Sequence, residues 1–134
     1  MEGSQNIKSP KNEWRLTSDR PVFLQIMEKL KLDIVTGAYR PGDKLPSVRD
    51  LAGEAAVNPN TMQRAFSELE REGLVYTQRT NGRFITEDIA MISQLKEQMA
   101  LDAISKFLDS MRQLGFSGEE TLTLLKEALK EEKV

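Results

Sequence analysis

The sequence contains no cysteine and no histidine. Lack of cysteine excludes disulfides, iron–sulfur clusters, thiolate zinc sites and a cysteine nucleophile. Lack of histidine removes the commonest general base, the commonest metal ligand and every Ser–His triad. No apolar run approaches the roughly 20 residues of a membrane-spanning helix. The amino terminus lacks a basic-then-apolar signal pattern. The last two absences, with the lack of cysteine, predict a cytoplasmic protein. Enzyme chemistry is left only carboxylates, Lys, Tyr and Mg²⁺-type oxygen sites, and the expectation is that the protein is not an enzyme and needs no cofactor or metal. There is no internal repeat and no low-complexity tract. A basic surplus is missing too: 19 Lys and Arg stand against 21 Asp and Glu, a formal charge of −2. Taken whole, that balance argues against nucleic acid. At 134 residues the chain has room for one compact domain and a small appendage.

Residues 1–12 are polar and read as a flexible leader. Trp14 and Leu16 suggest a short extended arm over the core. Pro21 opens a helix to about Thr36, stopped at Gly37. Its apolar positions Val22, Phe23, Ile26, Leu30, Ile34 and Val35 follow helical spacing. Gly37–Pro46 reads as a loop. Ser47-Val48-Arg49-Asp50 is a capping-box pattern for a short helix ending near Ala55. Asn58-Pro59 starts another, with Asn as cap and Pro at the first helical position. Met62, Ala65, Phe66 and Leu69 are its inward stripe, and Gly73 ends it. Period two then takes over: Leu74–Thr77 and Arg83–Ile85 read as strands around Thr80-Asn81-Gly82, in which Asn81-Gly82 is a tight-turn signal because both residues tolerate positive φ. A long helix over about Asp88–Leu114 follows. Ser117-Gly118-Glu119-Glu120, a second capping box, opens a last helix to about Glu132. The expected fold is mainly α with a small β-hairpin. A winged helix-turn-helix spans 13–86 and a two-helix hairpin spans 87–134.

Small Ala52 and Ala65 permit a close crossing of the two short helices, and Val57 plugs their corner. The second helix, about 59–72, then turns Asn58, Asn60, Thr61, Gln63 and Arg64 outward. Asn and Gln can bond adenine in a bidentate way, Arg can bond guanine, and Thr or Asn can hold phosphate. The bland alternative is a solvated polar face. Against it, Glu68, Glu70 and Glu72 crowd the last turns, while 58–65 contain no acid. The hairpin tip carries Arg79, Asn81, Gly82 and Arg83, a set suited to a narrow, negative minor groove or to an ordinary soluble turn. Arg40, Lys44 and Arg49 are candidate phosphate clamps, with Ser47 beside them. Arg49 has an alternative in pairing with Asp50 or Glu54.

Residues 41–57, Pro-Gly-Asp-Lys-Leu-Pro-Ser-Val-Arg-Asp-Leu-Ala-Gly-Glu-Ala-Ala-Val, resemble the signature of the GntR family of bacterial transcription regulators. The match continues through Asn60-Thr61, Arg64-Ala65, Leu69-Glu70 and Glu72-Gly73-Leu74-Val75, and covers about 20–86. The resemblance implies a DNA-binding winged helix, with Arg49, positions 58–64 and Gly82 touching DNA. Asn58-Pro59-Asn60-Thr61 and the short tail look like the YtrA type, which implies control of transporter operons. Two departures stand out. Pro59 replaces the Arg or polar residue usual there, and Thr80 replaces the first of the two wing glycines.

The tail of about 48 residues is too small to enclose a metabolite of typical size. Two apolar stripes run along its long helix: Ile92, Leu95, Met99, Ala103 and Phe107, and Leu101, Ile104, Leu108 and Met111. Leu122, Leu125 and Leu129 line the last helix. One short partner helix cannot cover both stripes, whereas an isologous dimer can. The alternative is packing of both on the winged domain. Met91, Met99 and Met111 read as core filling rather than as a ligand groove. The expectation is a homodimeric repressor on a pseudo-palindromic operator, its effector unspecified. Rival readings are a winged helix that binds protein and a carboxylate enzyme, which would need acids converging in a cleft. The charge itself divides along the chain. Residues 1–85 carry 13 basic and 11 acidic side chains, and residues 86–134 carry 6 and 10. The acid therefore concentrates in the tail.

Overall fold

The computed structural model describes residues 14–132; the expected leader lies outside the described residues. In chain order the elements are α1 (Val22–Val35), α2 (Val48–Ala55), α3 (Pro59–Arg71), β1 (Val75–Gln78), β2 (Gly82–Ile85), α4 (Ile89–Gln113) and α5 (Gly118–Glu132). The chain divides into two compact units between Gln94 and Leu95. The first holds the three short helices and the hairpin, a winged helix-turn-helix.

The first unit's core is built where the helical stripes meet. Ile26, Leu30 and Ile34 of α1, Leu51 and Ala52 of α2, and Met62, Ala65, Phe66 and Leu69 of α3 are all buried. Full burial of the larger of these side chains stabilises by about 1.5–3 kcal/mol each, before the ordering entropy is counted. The buried face of α1 differs from its apolar pattern. Val22 is 37% exposed, and Met27, Gln25 and Asp33 are buried instead. Gln25 is inside because the segment before α1 supplies its partners. Its amide nitrogen donates to the Thr17 and Arg20 carbonyls at 2.8 and 2.9 Å, and its oxygen accepts the Thr17 amide at 2.8 Å. Asp33 accepts a 2.7 Å bond from Lys29, whose ammonium lies over the Trp14 ring. Burial raises the Asp33 pKa, and Lys29 opposes the shift. Tyr39 is buried nearby. Burial, then Asp33 and Glu54, push its phenol above the ordinary range.

Helix ends follow the expected signals with instructive differences. The Ser47 hydroxyl accepts the Asp50 amide at 3.0 Å, which is the forward half of the α2 box. In α5 both halves form: Glu120 donates its amide to the Ser117 hydroxyl, and its carboxylate accepts the Ser117 amide at 2.9 Å. Aspartate is one methylene shorter than glutamate, so the return reach is easier for Glu120. Three helices end in the paired 6→1 and 5→2 bonds of a Schellman motif. In α3 these are Leu74 to Leu69 and Gly73 to Glu70. In α4 they are Phe116 to Met111 and Gly115 to Arg112, and in α2 Val57 to Ala52 and Ala56 to Gly53. The left-handed residue is glycine in the first two. In α2 it is Ala56, with φ 58°, the one non-glycine residue at positive φ among those described. A Cβ there is disfavoured by about 1–2 kcal/mol. Ala56 is exposed, so its methyl contributes no core contact. Ala56→Gly is therefore expected to stabilise the protein by up to ~1 kcal/mol after the added unfolded-state entropy of glycine. Thermal unfolding measures it, and a lower Tm would contradict the strain.

The hairpin pairs β1 and β2 antiparallel, with Val75 opposite Ile85 and Thr77 opposite Arg83. Leu74, expected in the first strand, instead completes the α3 cap, and the strand runs on to Gln78. The turn also differs from the Asn-Gly turn expected. The Asn81 amide bonds the Gln78 carbonyl at 2.8 Å, and Gly82 alone takes positive φ, 104°. Arg79, Thr80 and Asn81 thus form a three-residue loop closed by Gly82 at the left-handed position.

The segment expected as a plain loop also pairs with β2, although the sheet itself has two strands. Lys44 bridges Phe84 antiparallel. Leu45 donates to Arg83, and Ile85 donates to Asp43, at 2.9 and 2.8 Å. Before it, Asp43 donates to Arg40 at 2.9 Å across Pro41-Gly42, and Gly42 has φ 83°. Proline then glycine at the two central positions is the type II turn arrangement.

The second unit consists of α4 from Leu95 onward and α5. α4 has no fully buried residue. In α5 only Thr121 is buried; its hydroxyl bonds the Ser117 carbonyl at 2.8 Å. Among the described residues, no helix is long and apolar enough to cross a membrane. No group of acidic residues among them could hold a metal ion.

Candidate nucleic-acid interface

The helix-turn-helix presents two capped helix starts. Ser47 opens α2, with Arg49 as its second residue. Asn58 opens α3 by accepting the Asn60 amide at 2.7 Å. Free N–H groups at such ends favour anions. α2 packs on α3, and the apolar stripe of α3 is wholly buried. Asn60, Gln63 and Arg64 consequently stay exposed, and Thr61 is half-buried. Gln63 donates to Ser67 at 3.2 Å, which leaves its oxygen available as an acceptor. Arg64 is held. Its guanidinium lies 3.8 Å from the centre of the Phe23 ring on α1.

The wing joins this body through Lys44, whose side chain lies 3.1 Å from where a Cβ on Gly82 would stand. Arg79 and Asn81 at the tip are exposed, and Asn81 donates to Gln78 at 3.2 Å. Arg83 occupies a different setting. It is half-buried, with its guanidinium 5.4 Å from the centre of the Phe66 ring and its Nε 4.0 Å from Glu70.

The charges separate as the sequence suggested, and the structure adds how. Arg40, Lys44, Arg49 and Arg79 are exposed, with no carboxylate within ion-pair distance among the described residues. Arg49 thus pairs with neither Asp50 nor Glu54. The α3 acids all have partners: Glu68 with Arg71, Glu70 with Arg83 and Thr77, and Glu72 with Lys31. The Arg71 hydrogen bond holds the Glu68 carboxyl below its ordinary value. Sequence reasoning missed the parts played by Phe23 and Glu70. Phe23 was read as apolar stripe only, and Glu70 touches wing residues that follow a helix stop and a turn.

In the second unit, Ala103, Ile104, Phe107 and Leu108 of α4 and Leu122 and Leu125 of α5 line one apolar groove of about 560 Å³. Residues from both expected stripes share this wall. Leu129 is also exposed, whereas Ile92, Leu95, Met99 and Met111 are half-buried.

Residues 23–85 match the family described as bacterial regulatory proteins, gntR family. The chain is also 41% identical over 109 residues to the HTH-type transcriptional regulator YhcF of Bacillus subtilis, covering 81% of this chain and 90% of YhcF. The chain belongs to the GntR family. Another member, the transcriptional repressor YtrA of Bacillus subtilis, is 40% identical over 95 residues, 64% of this chain and 73% of YtrA. A GntR family transcriptional regulator from Listeria monocytogenes has a similar solved structure. Its TM-score is 0.77 at 39% identity, over 84% of this chain and 98% of that one. The GntR match ends at Ile85, the last residue of β2. It thus takes in every element of the candidate interface.

Proposed function

We propose that this GntR-family regulator acts as a homodimeric repressor that binds a pseudo-palindromic operator. α3 enters the major groove with Asn58, Asn60, Thr61, Gln63 and Arg64. Arg40, Lys44, Ser47 and Arg49 hold phosphates, and the wing residues Arg79, Asn81 and Gly82 lie along the minor groove. Half-sites about one helical turn, roughly 34 Å, or somewhat further apart would match the two-fold axis. The observation that carries the reading is the charge arrangement: Arg40, Lys44, Arg49 and Arg79 lack carboxylate partners among the described residues, while Arg83 is met by Glu70 and the other α3 acids are engaged as well. The α4–α5 groove supports the dimer, because exposed apolar surface of this kind marks an association site. Similarity to a named repressor supports repression, and a transporter operon is what the resemblance of the Asn58–Thr61 run to the YtrA type implies.

Selection of bound duplexes from a random pool, followed by footprinting, tests this. A defined palindrome is the expected result. Affinity for it falls steeply with salt. Four unpaired cations per protomer give a slope of log K against log salt of about −7 for the dimer. A flat salt response, or selection of no sequence, would overturn the assignment.

A further inference from the structure

We propose that Glu70 is a positioning residue that fixes the wing against the recognition helix. The proposal rests on the DNA-binding reading above and adds a residue that reading does not use. Glu70 stands on α3 and faces both strands of the hairpin. One carboxylate oxygen accepts the Thr77 hydroxyl at 2.6 Å on β1, and the other lies 4.0 Å from Arg83 Nε on β2. Thr77 and Arg83 are directly opposite in the β1–β2 register. A single carboxylate therefore grips both strands at one level of the ladder. Arg83 Nε is buried with no hydrogen-bond partner, and its guanidinium lies over Phe66, itself fully buried. With its Nε unpartnered, Glu70 is the acid that compensates the half-buried Arg83 cation.

The position of this grip gives it leverage. At the hairpin base Val75 and Ile85 are buried, and Thr86 donates to Leu74 at 2.9 Å, so that end is fixed by packing. Residues 77–82, at and beyond the Glu70 level, are all exposed. The angle at which Arg79 and Asn81 meet DNA is then set by Glu70 on one side and Lys44 on the other. Arg83 serves as an internal strut, and Arg79 is left as the arginine of the tip.

Simple electrostatics and positioning predict opposite signs. Removing a negative charge near DNA tightens binding to any duplex. Loosening the wing weakens binding to the operator, where tip contacts count. Glu70→Ala is expected to weaken operator binding about fivefold or more, up to the tenfold that 1.4 kcal/mol represents. Binding to an unrelated duplex is expected to be unchanged or tighter. Glu70→Gln loses the same charge but keeps an oxygen for Thr77, so it recovers part of the loss. Backbone order parameters of residues 79–82 in the free protein, measured by ¹⁵N relaxation, drop below about 0.6 in Glu70→Ala. Operator affinity that is unchanged or tighter, or wing amides as ordered as in the parent, overturns the proposal. If the parent protein binds no duplex, the functional reading fails instead. The relaxation data then still decide whether Glu70 holds the wing.

Discussion

Leu125→Glu is expected to convert the proposed dimer to monomer and to weaken operator binding by a hundredfold or more. Leu125 is 39% exposed in the isolated chain and lines the α4–α5 groove together with Ile104 and Phe107. A carboxylate there must be buried without a partner on dimerisation, at several kcal/mol. A monomer then holds one half-site, and the gain from linking two reading heads, about 10²–10⁴, is lost. Light scattering coupled to size exclusion reads the mass, and a gel-shift titration reads the affinity. A Leu125→Glu protein with the parent's mass and affinity would place the dimer contact elsewhere. The first unit has its own core, so its circular dichroism and unfolding signal should persist.

The second large effect separates two arginines that look alike in the sequence. Arg49→Ala removes an exposed side chain with no ion pair in the free protein, so stability should change by less than about 0.5 kcal/mol. Its loss weakens all duplexes alike and lowers the salt slope by about 1 per site, the behaviour of a phosphate contact. Arg64→Ala should relax specificity at one base pair, at about 1–3 kcal/mol of operator affinity. Because Arg64 stacks on Phe23 at 3.8 Å, its loss also lowers stability, by about 0.5–1 kcal/mol. Equal effects of the two variants on operator and random duplex would contradict the division of roles.

Much of this site was legible because its signals are local. Asn58-Pro59 fixes where α3 begins, and period-3.6 spacing of Met62, Phe66 and Leu69 fixes which side is buried. The outward residues follow from those two facts. The unread parts depend on which partners the fold places beside a polar side chain, near or far along the chain. Gln25 and Asp33 look like solvent-facing residues until the Thr17 backbone and Lys29 are brought beside them. Asn81-Gly82 signals a two-residue turn, but the register of Gln78 against Gly82 leaves Arg79–Asn81 as the loop, with positive φ at Gly82 alone. Ala103 and Phe107 of one α4 stripe share the groove wall with Ile104 and Leu108 of the other, which spacing along α4 alone does not show.

The bridge between Lys44 and Phe84 sets a rule for chain length. Side chains alternate sides along a paired segment, so neighbouring positions have opposite fates. Leu45 is 3% exposed, and Lys44 is on the surface. Inserting one residue between Gly42 and Lys44 would exchange them, driving the ammonium inward and the leucine out. Deleting one residue would do the same. Turn Arg40–Asp43 can therefore change composition outside Gly42, whose φ of 83° calls for glycine, but not spacing. Descendants of this gene should tolerate insertions there only in pairs, if at all.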